Sequence, residues 1–151
     1  TVTVKRRIEY TRYGKVTVEG LYLENNGISY LPKGLKSVGG DLILRYNQLT
    51  SLDGLEGVSV GGYLNLSNNQ LTSLEGLPKE IKGNLDLSNN QLTSLDGLPE
   101  KIGGGLWLRD IPATEIPEGL NIKGKICVEE NQTALAEDIQ KKYPGKISFS
   151  P

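Results

Sequence analysis

Leucine pairs of the form Leu-x-Leu return along this chain at a nearly constant interval, and that period constrains the fold more than any other feature. The first apolar residue of each pair is Leu21, Leu42, Leu64, Leu85, Leu106 and Ile126, giving spacings of 21, 22, 21, 21 and 20 residues. Five of the six units carry Asn five positions later, at Asn26, Asn47, Asn69, Asn90 and Asn131. Apolar residues recur at plus seven as Ile28, Leu49, Leu71 and Leu92, and at plus ten as Leu31, Leu52, Leu74, Leu95 and Ile116. Ahead of every unit from the second onward stands Val38, Val60, Ile81, Ile102 or Ile122, followed by Gly40, Gly62, Gly83, Gly104 or Gly124. Coincident columns at one period do not arise from composition bias.

The alternation in Leu-x-Leu makes a short strand with both leucines on one face. One such unit cannot enclose a core, but units stacked in parallel bury their leucine columns against each other and form a curved β-rich solenoid. Asn suits the turn after each strand, because its carboxamide bonds the main chain of its own and the neighbouring unit. The Asn column is therefore expected to be a structural ladder. Pro32, Pro78, Pro99, Pro112 and Pro117 deny long helices to the outer arc, where turns, extended pieces or single 3₁₀ turns are expected.

The ends must differ from the middle, since an open solenoid end exposes apolar core and unpaired strand edges. Val2-Thr3-Val4 and Val16-Thr17-Val18 around Arg12-Tyr13-Gly14-Lys15 predict a β-hairpin cap over residues 1–19. Residues 20–131 hold about six repeats. Residues 132–151 predict a second cap, a helix from Thr133 to Tyr143 with Thr133 as N-cap, Leu135, Ile139 and Tyr143 on one stripe, Pro144-Gly145 as its stop, then an edge strand at Lys146-Ile147-Ser148-Phe149. With a cap at either end, one complete domain is expected.

These columns resemble the leucine-rich repeat, whose pattern is Leu-x-Leu-x-x-Asn-x-Leu at a period of 20 to 29 residues. Segments such as Leu31-Pro32-Lys33-Gly34-Leu35 and Ile116-Pro117-Glu118-Gly119-Leu120 look like the short-repeat bacterial and bacteriophage members. The resemblance implies a right-handed superhelix of short parallel strands. It also implies a bacterial or phage-infected setting, in which secreted effectors, surface proteins and phage accessory proteins occur. One departure stands out. The usual pattern has an apolar residue three positions before the pair, whereas here Val or Ile lies four before it, so the strand entry is expected to be bulged or reshaped.

Composition narrows the function. The 151 residues include no His and only Cys127, which excludes a Ser-His-Asp or Cys-His hydrolase, a His-ligated zinc enzyme, a Cys-cluster zinc site and an internal disulfide. No cofactor or metal is expected. The net charge of −1 gives the whole molecule no reason to seek nucleic acid, and no apolar run reaches the length of a membrane span. Lys5, Arg6, Arg7, Arg12 and Lys15 make a local basic edge, more readily explained as protection of an edge strand than as a phosphate site.

Function is thus expected at the strand positions that the repeat leaves free. Tyr22, Ile43, Arg45, Tyr46 and Tyr63 form one candidate patch toward the N-terminus, and Trp107 with Arg109 form a second. Aromatic and arginine side chains dominate interface hot spots. The expected function is non-enzymatic recognition of another protein. The alternative is a phage accessory protein that binds a small ligand or nucleotide or inhibits a bacterial defence component. Solenoid ends can stack, so the states considered are a monomer and an end-to-end dimer.

Overall fold

The computed structural model describes residues 9–10, 16–31 and 34–150. In chain order the strands are β1 (Glu9–Tyr10), β2 (Val16–Val18), β3 (Leu21–Tyr22), β4 (Leu35–Val38), β5 (Leu42–Ile43), β6 (Ser59–Val60), β7 (Leu64–Asn65) and β8 (Glu80–Ile81). They continue as β9 (Leu85–Asp86), β10 (Lys101–Ile102), β11 (Leu106–Trp107), β12 (Asn121–Ile122) and β13 (Ile126–Glu129), then helix α1 (Thr133–Lys142) and β14 (Ile147–Ser150). The molecule is a parallel-strand β-solenoid with one short C-terminal helix.

Each turn contributes two strands, not one. The Leu-x-Leu pairs form a sheet in the order β14-β13-β11-β9-β7-β5-β3, and the Val/Ile column forms a second sheet in the order β1-β2-β4-β6-β8-β10-β12. Every pairing between turns is parallel and, apart from a shift between β2 and β4, in register, as in Leu42 with Leu64 and Val60 with Ile81. The expected bulged entry to the Leu-x-Leu strand is therefore a corner between two strands. A glycine in each turn makes that corner: the N–H groups of Gly62, Gly83, Gly104 and Gly124 donate to the carbonyls of Gly40, Gly62, Gly83 and Gly104 at 2.9, 3.2, 3.0 and 2.8 Å.

The core lies between the two sheets. Leu21, Leu23, Leu42, Leu44, Leu64, Leu66, Leu85 and Leu87 are almost wholly buried from the first, and Val38, Val60, Ile81, Ile102 and Ile122 are buried from the second. Leu52, Leu74, Leu95 and Ile116 close the outer arc, where the chain runs through turns and extended pieces.

Asn47, Asn69 and Asn90 tie adjacent turns together. The Asn69 carboxamide donates to the carbonyls of Leu44, Leu66 and Ser67 at 3.0, 3.1 and 3.2 Å, and its oxygen accepts the N–H of Leu49 at 3.0 Å. Asn47 makes the same set to Leu23, Leu44 and Arg45 while accepting from Asn26 and Ile28. Asn26 is exposed in the first unit and donates to the Glu24 carbonyl. At the far end the structure differs from the sequence expectation. Asn131 is exposed, and Gln132 donates to the Leu108 carbonyl at 2.8 Å while accepting the Glu129 N–H at 2.7 Å. The cause is β13, four residues long where β11 has two, which delays the turn by a residue and calls for a longer side chain. Gln132→Ala is expected to cost about 1 to 2 kcal/mol in urea unfolding, with Asn131→Ala within about 0.5 kcal/mol of the parent. The reverse order would show that Asn131 holds the ladder.

At the N-terminus, Glu9–Tyr10 and Val16–Val18 pair antiparallel, and β2 passes the second sheet on to β4. The expected strand at Val2–Val4 and the basic edge of Lys5, Arg6, Arg7, Arg12 and Lys15 lie outside the described residues. At the C-terminus, α1 buries Leu135, Ala136 and Ile139. Its N-cap is Gln132 and not Thr133, because the chain enters the helix directly from the last ladder position. Tyr143 accepts the Leu120 N–H and donates to the Pro117 carbonyl.

The helix is also tied down by Asp138, which accepts from the Ile116 N–H at 2.7 Å and from Lys142 at 3.0 Å. Burial alone would raise the Asp138 pKa, but these donors outweigh it and hold the carboxyl below its ordinary value of 3.8. A depressed carboxylate contributes stability above the unfolded pKa and loses it as pH falls through the folded one. In an acid titration followed by circular dichroism, the parent should therefore lose helix signal below about pH 4, and Asp138→Asn should lose part of that step. An unchanged step would exclude this pair as its source.

Candidate functional site

The outward face of the Leu-x-Leu sheet is built from three columns, since side chains alternate along a strand. Tyr22, Ile43, Asn65, Asp86, Trp107 and Cys127 stand in register between the leucines. Two positions before them come Gly20, Asp41, Tyr63, Asn84, Gly105 and Lys125, and two after come Glu24, Arg45, Ser67, Ser88, Arg109 and Glu129.

The middle of this face is a closed polar floor. Asn65, Ser67, Asp86 and Ser88 are all buried, covered by their larger neighbours. The Asn65 oxygen accepts the Ser67 hydroxyl at 2.7 Å and its N–H at 3.0 Å. Asp86 accepts the Ser88 N–H at 2.9 Å, and the Ser88 hydroxyl accepts the Arg109 N–H at 3.0 Å. Tyr63 bridges two turns, its hydroxyl accepting from Asn65 at 3.3 Å and donating to Asp86 at 3.4 Å. Burial and then the Asp86 charge push the Tyr63 pKa up to about 12, against the opposing pull of Arg45 and Arg109. Tyr63 is therefore part of the floor, half-buried and engaged with its neighbours.

The N-terminal patch is consequently smaller than the sequence alone implies. Ile43 is only 8 % exposed, lying in register between Tyr22 and Asn65, so alternation placed it on the outward face without making it available. Tyr22 is exposed, and its ring lies over Gly20, where a β-carbon would stand 3.0 Å from Tyr22 Cε2. Trp107 does the same over Gly105 and is half-buried. Arg45 donates through Nε to Glu24 Oε2 at 2.7 Å, and its guanidinium carbon stands 6.0 Å from the centroid of the Tyr46 ring.

Tyr46 is the exception in a backbone column. The fourth residue after the start of β3, β5, β7, β9 and β11 has positive φ, at Asn25 (60°), Tyr46 (57°), Asn68 (57°), Asn89 (56°) and Asp110 (51°). Asn and Asp tolerate this left-handed conformation because their short polar side chains bond locally, whereas a bulky residue there is strained. Tyr46 occupies it with 56 % of its surface exposed, so core packing does not explain its presence. This feature was open to sequence reasoning: aligning the columns shows Tyr where four of the other turns have Asn or Asp and the last has Glu130.

Away from this face, a recess of about 500 Å³ lies beside β6 and β8, lined by Glu56, Val58, Ser59, Leu77, Pro78 and Lys79 among others. Neither candidate patch borders it. Among the described residues no cluster of Cys, Asp and Glu could hold a metal ion, and no helix is long and apolar enough to cross a membrane.

The family model of the Leucine Rich Repeat matches residues 63–84, one turn of the solenoid from Tyr63 through β7 to Asn84. No curated protein matches the chain, and no solved structure does. The matched turn carries the same ladder Asn and leucine columns as its neighbours, and together with the fold it supports a leucine-rich repeat protein.

Proposed function

We propose that this chain is a non-enzymatic recognition module that binds a partner protein on the outward face of its Leu-x-Leu sheet. The observation that carries this is Tyr46, an exposed aromatic held at a φ of 57° where the other four left-handed positions of the column are Asn or Asp. Local rules broken without a packing gain mark functional positions. Tyr22 is exposed on the adjacent strand β3, and the Glu24 carboxylate holds the Arg45 guanidinium in place beside the Tyr46 ring. The result is a preorganised aromatic and cationic anchor of the kind that dominates protein interfaces. Leucine-rich repeats commonly mediate contacts between proteins, in line with this reading.

The test is Tyr46→Asn, which restores the residue type of the neighbouring turns. The variant should melt at the parent's temperature or above it, since relief of left-handed strain is worth about 1 kcal/mol. A protein captured by the parent and purified should bind the variant about 30-fold more weakly in calorimetry, the loss of one hot-spot tyrosine. Equal affinity would remove Tyr46, and with it this reading of the face.

A further inference from the structure

Arg45 and Arg109 occupy the same column of the outward face, three turns apart, and only one of them has a carboxylate. The Nε of Arg45 donates to Glu24, its counterpart one turn earlier, at 2.7 Å. The counterpart of Arg109 one turn earlier is Ser88, whose hydroxyl accepts the Arg109 backbone N–H and is too short to serve the guanidinium as well. Arg109 Nε is buried and has no hydrogen-bond partner among the described residues. Asp86, on the neighbouring strand, is occupied by the Ser88 N–H and the Tyr63 hydroxyl. Among the described residues neither Asp86 nor Glu129, the counterpart one turn later, forms an ion pair with Arg109.

A buried N–H without an acceptor is costly, and the cost is recovered by whatever supplies one. The guanidinium fork, Nε with one terminal nitrogen, matches a carboxylate in two parallel hydrogen bonds. Between the two arginines the column holds Ser67 and Ser88, the smallest side chains on it, so no long side chain of this column stands between the two guanidinium groups. We infer that Arg109 seats a carboxylate presented by the partner protein, a Glu or Asp side chain that takes the fork side-on. This rests on the recognition reading above and adds the chemistry of the second contact: the partner supplies to Arg109 what Glu24 supplies to Arg45.

The probe is a blocked glutamate, N-acetylglutamate N-methylamide, titrated into the whole chain labelled with ¹⁵N-arginine, with the Nε–Hε resonances followed by NMR. N-acetylglutamine N-methylamide, with sodium chloride added to equal ionic strength, is the neutral control. The Arg109 Nε–Hε signal should move and saturate with a dissociation constant on the order of 10 to 100 mM, as one charge-assisted contact provides. The Arg45 signal, already paired, should move several-fold less, and the glutamine analogue should move neither. Arg109→Lys, shown by circular dichroism to be folded, identifies the Arg109 resonance by its loss. No saturable movement at Arg109, an equal response to the glutamine analogue, or an equal response at Arg45 overturns the inference. The two readings fail separately: Tyr46→Asn can abolish partner binding while Arg109 ignores the blocked glutamate, which leaves recognition standing and removes this seat.

Discussion

Replacing Asn69 by Leu is expected to remove about 3 to 5 kcal/mol from the unfolding free energy, a large share of what a domain of this size possesses. The exchange is nearly isosteric, so the loss reports polar bonding and not volume. Asn69 is buried and serves the carbonyls of Leu44, Leu66 and Ser67 and the N–H of Leu49. Leucine leaves the Leu49 N–H in the interior with no acceptor, at a cost of about 1 to 3 kcal/mol, and takes one of two donors from each of the Leu44, Leu66 and Ser67 carbonyls, which keep Asn47, Asn90 and the Tyr46 N–H, at about 0.5 to 1.5 kcal/mol apiece. The melting temperature should fall by roughly 6 to 20 °C, at about 2 to 4 °C per kcal/mol for a chain of this length. Urea unfolding followed by circular dichroism measures it, and a loss below about 1 kcal/mol would mean that the ladder is incidental to stability. The damage should also spread unevenly. Because each turn touches only its neighbours, the turns on either side of Asn69 can unfold as separate units, seen as a broadened transition.

A second large effect is expected from Gly83→Ala. A β-carbon there would lie 2.6 Å from both the carbon and the oxygen of the Gly62 carbonyl and 3.1 Å from the Tyr63 nitrogen. All three are main-chain atoms, so no side chain can swing aside, and the corner between β8 and β9 must move away from the turn below. That strains the hydrogen bond from the Gly83 N–H to the Gly62 carbonyl, already 3.2 Å long. Overpacking of this kind costs about 3 kcal/mol. The neighbouring Lys82 is exposed, and Lys82→Ala should stay within about 0.5 kcal/mol of the parent. If the two variants unfold at the same denaturant concentration, close approach at the corner is not what demands glycine.

The same corner shows where sequence reasoning stopped. The leucine columns and the ladder asparagines were legible because few structures use a period of 20 to 22 residues, and only one bonding role suits an Asn after each strand. Val38, Val60, Ile81, Ile102 and Ile122 were legible as a column but not as a sheet. A single apolar residue per turn carries no alternation, and the two-residue strands around it are defined by pairing with the next turn. Gln132 was missed for a related reason, since the extra length of β13 comes from its partner β14 and leaves no local mark. For the candidate site, alternation correctly put Tyr22, Asn65, Asp86 and Trp107 on the outward face. It could not foresee that Ile43 is covered or that Tyr63 spans two turns, because those facts depend on side chains one turn away. The unpartnered Nε of Arg109 likewise exists only as a relation between Arg109, Ser88 and Asp86.

The near identity of the two central turns has a consequence for how such a surface can change. Residues 64–74 and 85–95 differ only at Asn65 and Asp86, and each accepts the other as its in-register neighbour. Loss or duplication of one such turn would need no new packing chemistry, yet it would shift Arg109 relative to Arg45 by one strand spacing, about 4.8 Å. The separation of the two arginines, roughly 14 Å over three steps, therefore behaves as a ruler with fixed graduations. Point substitutions alter the side chain at either mark, whereas the distance between the marks changes only in whole steps, by gene-level insertion or deletion of a turn.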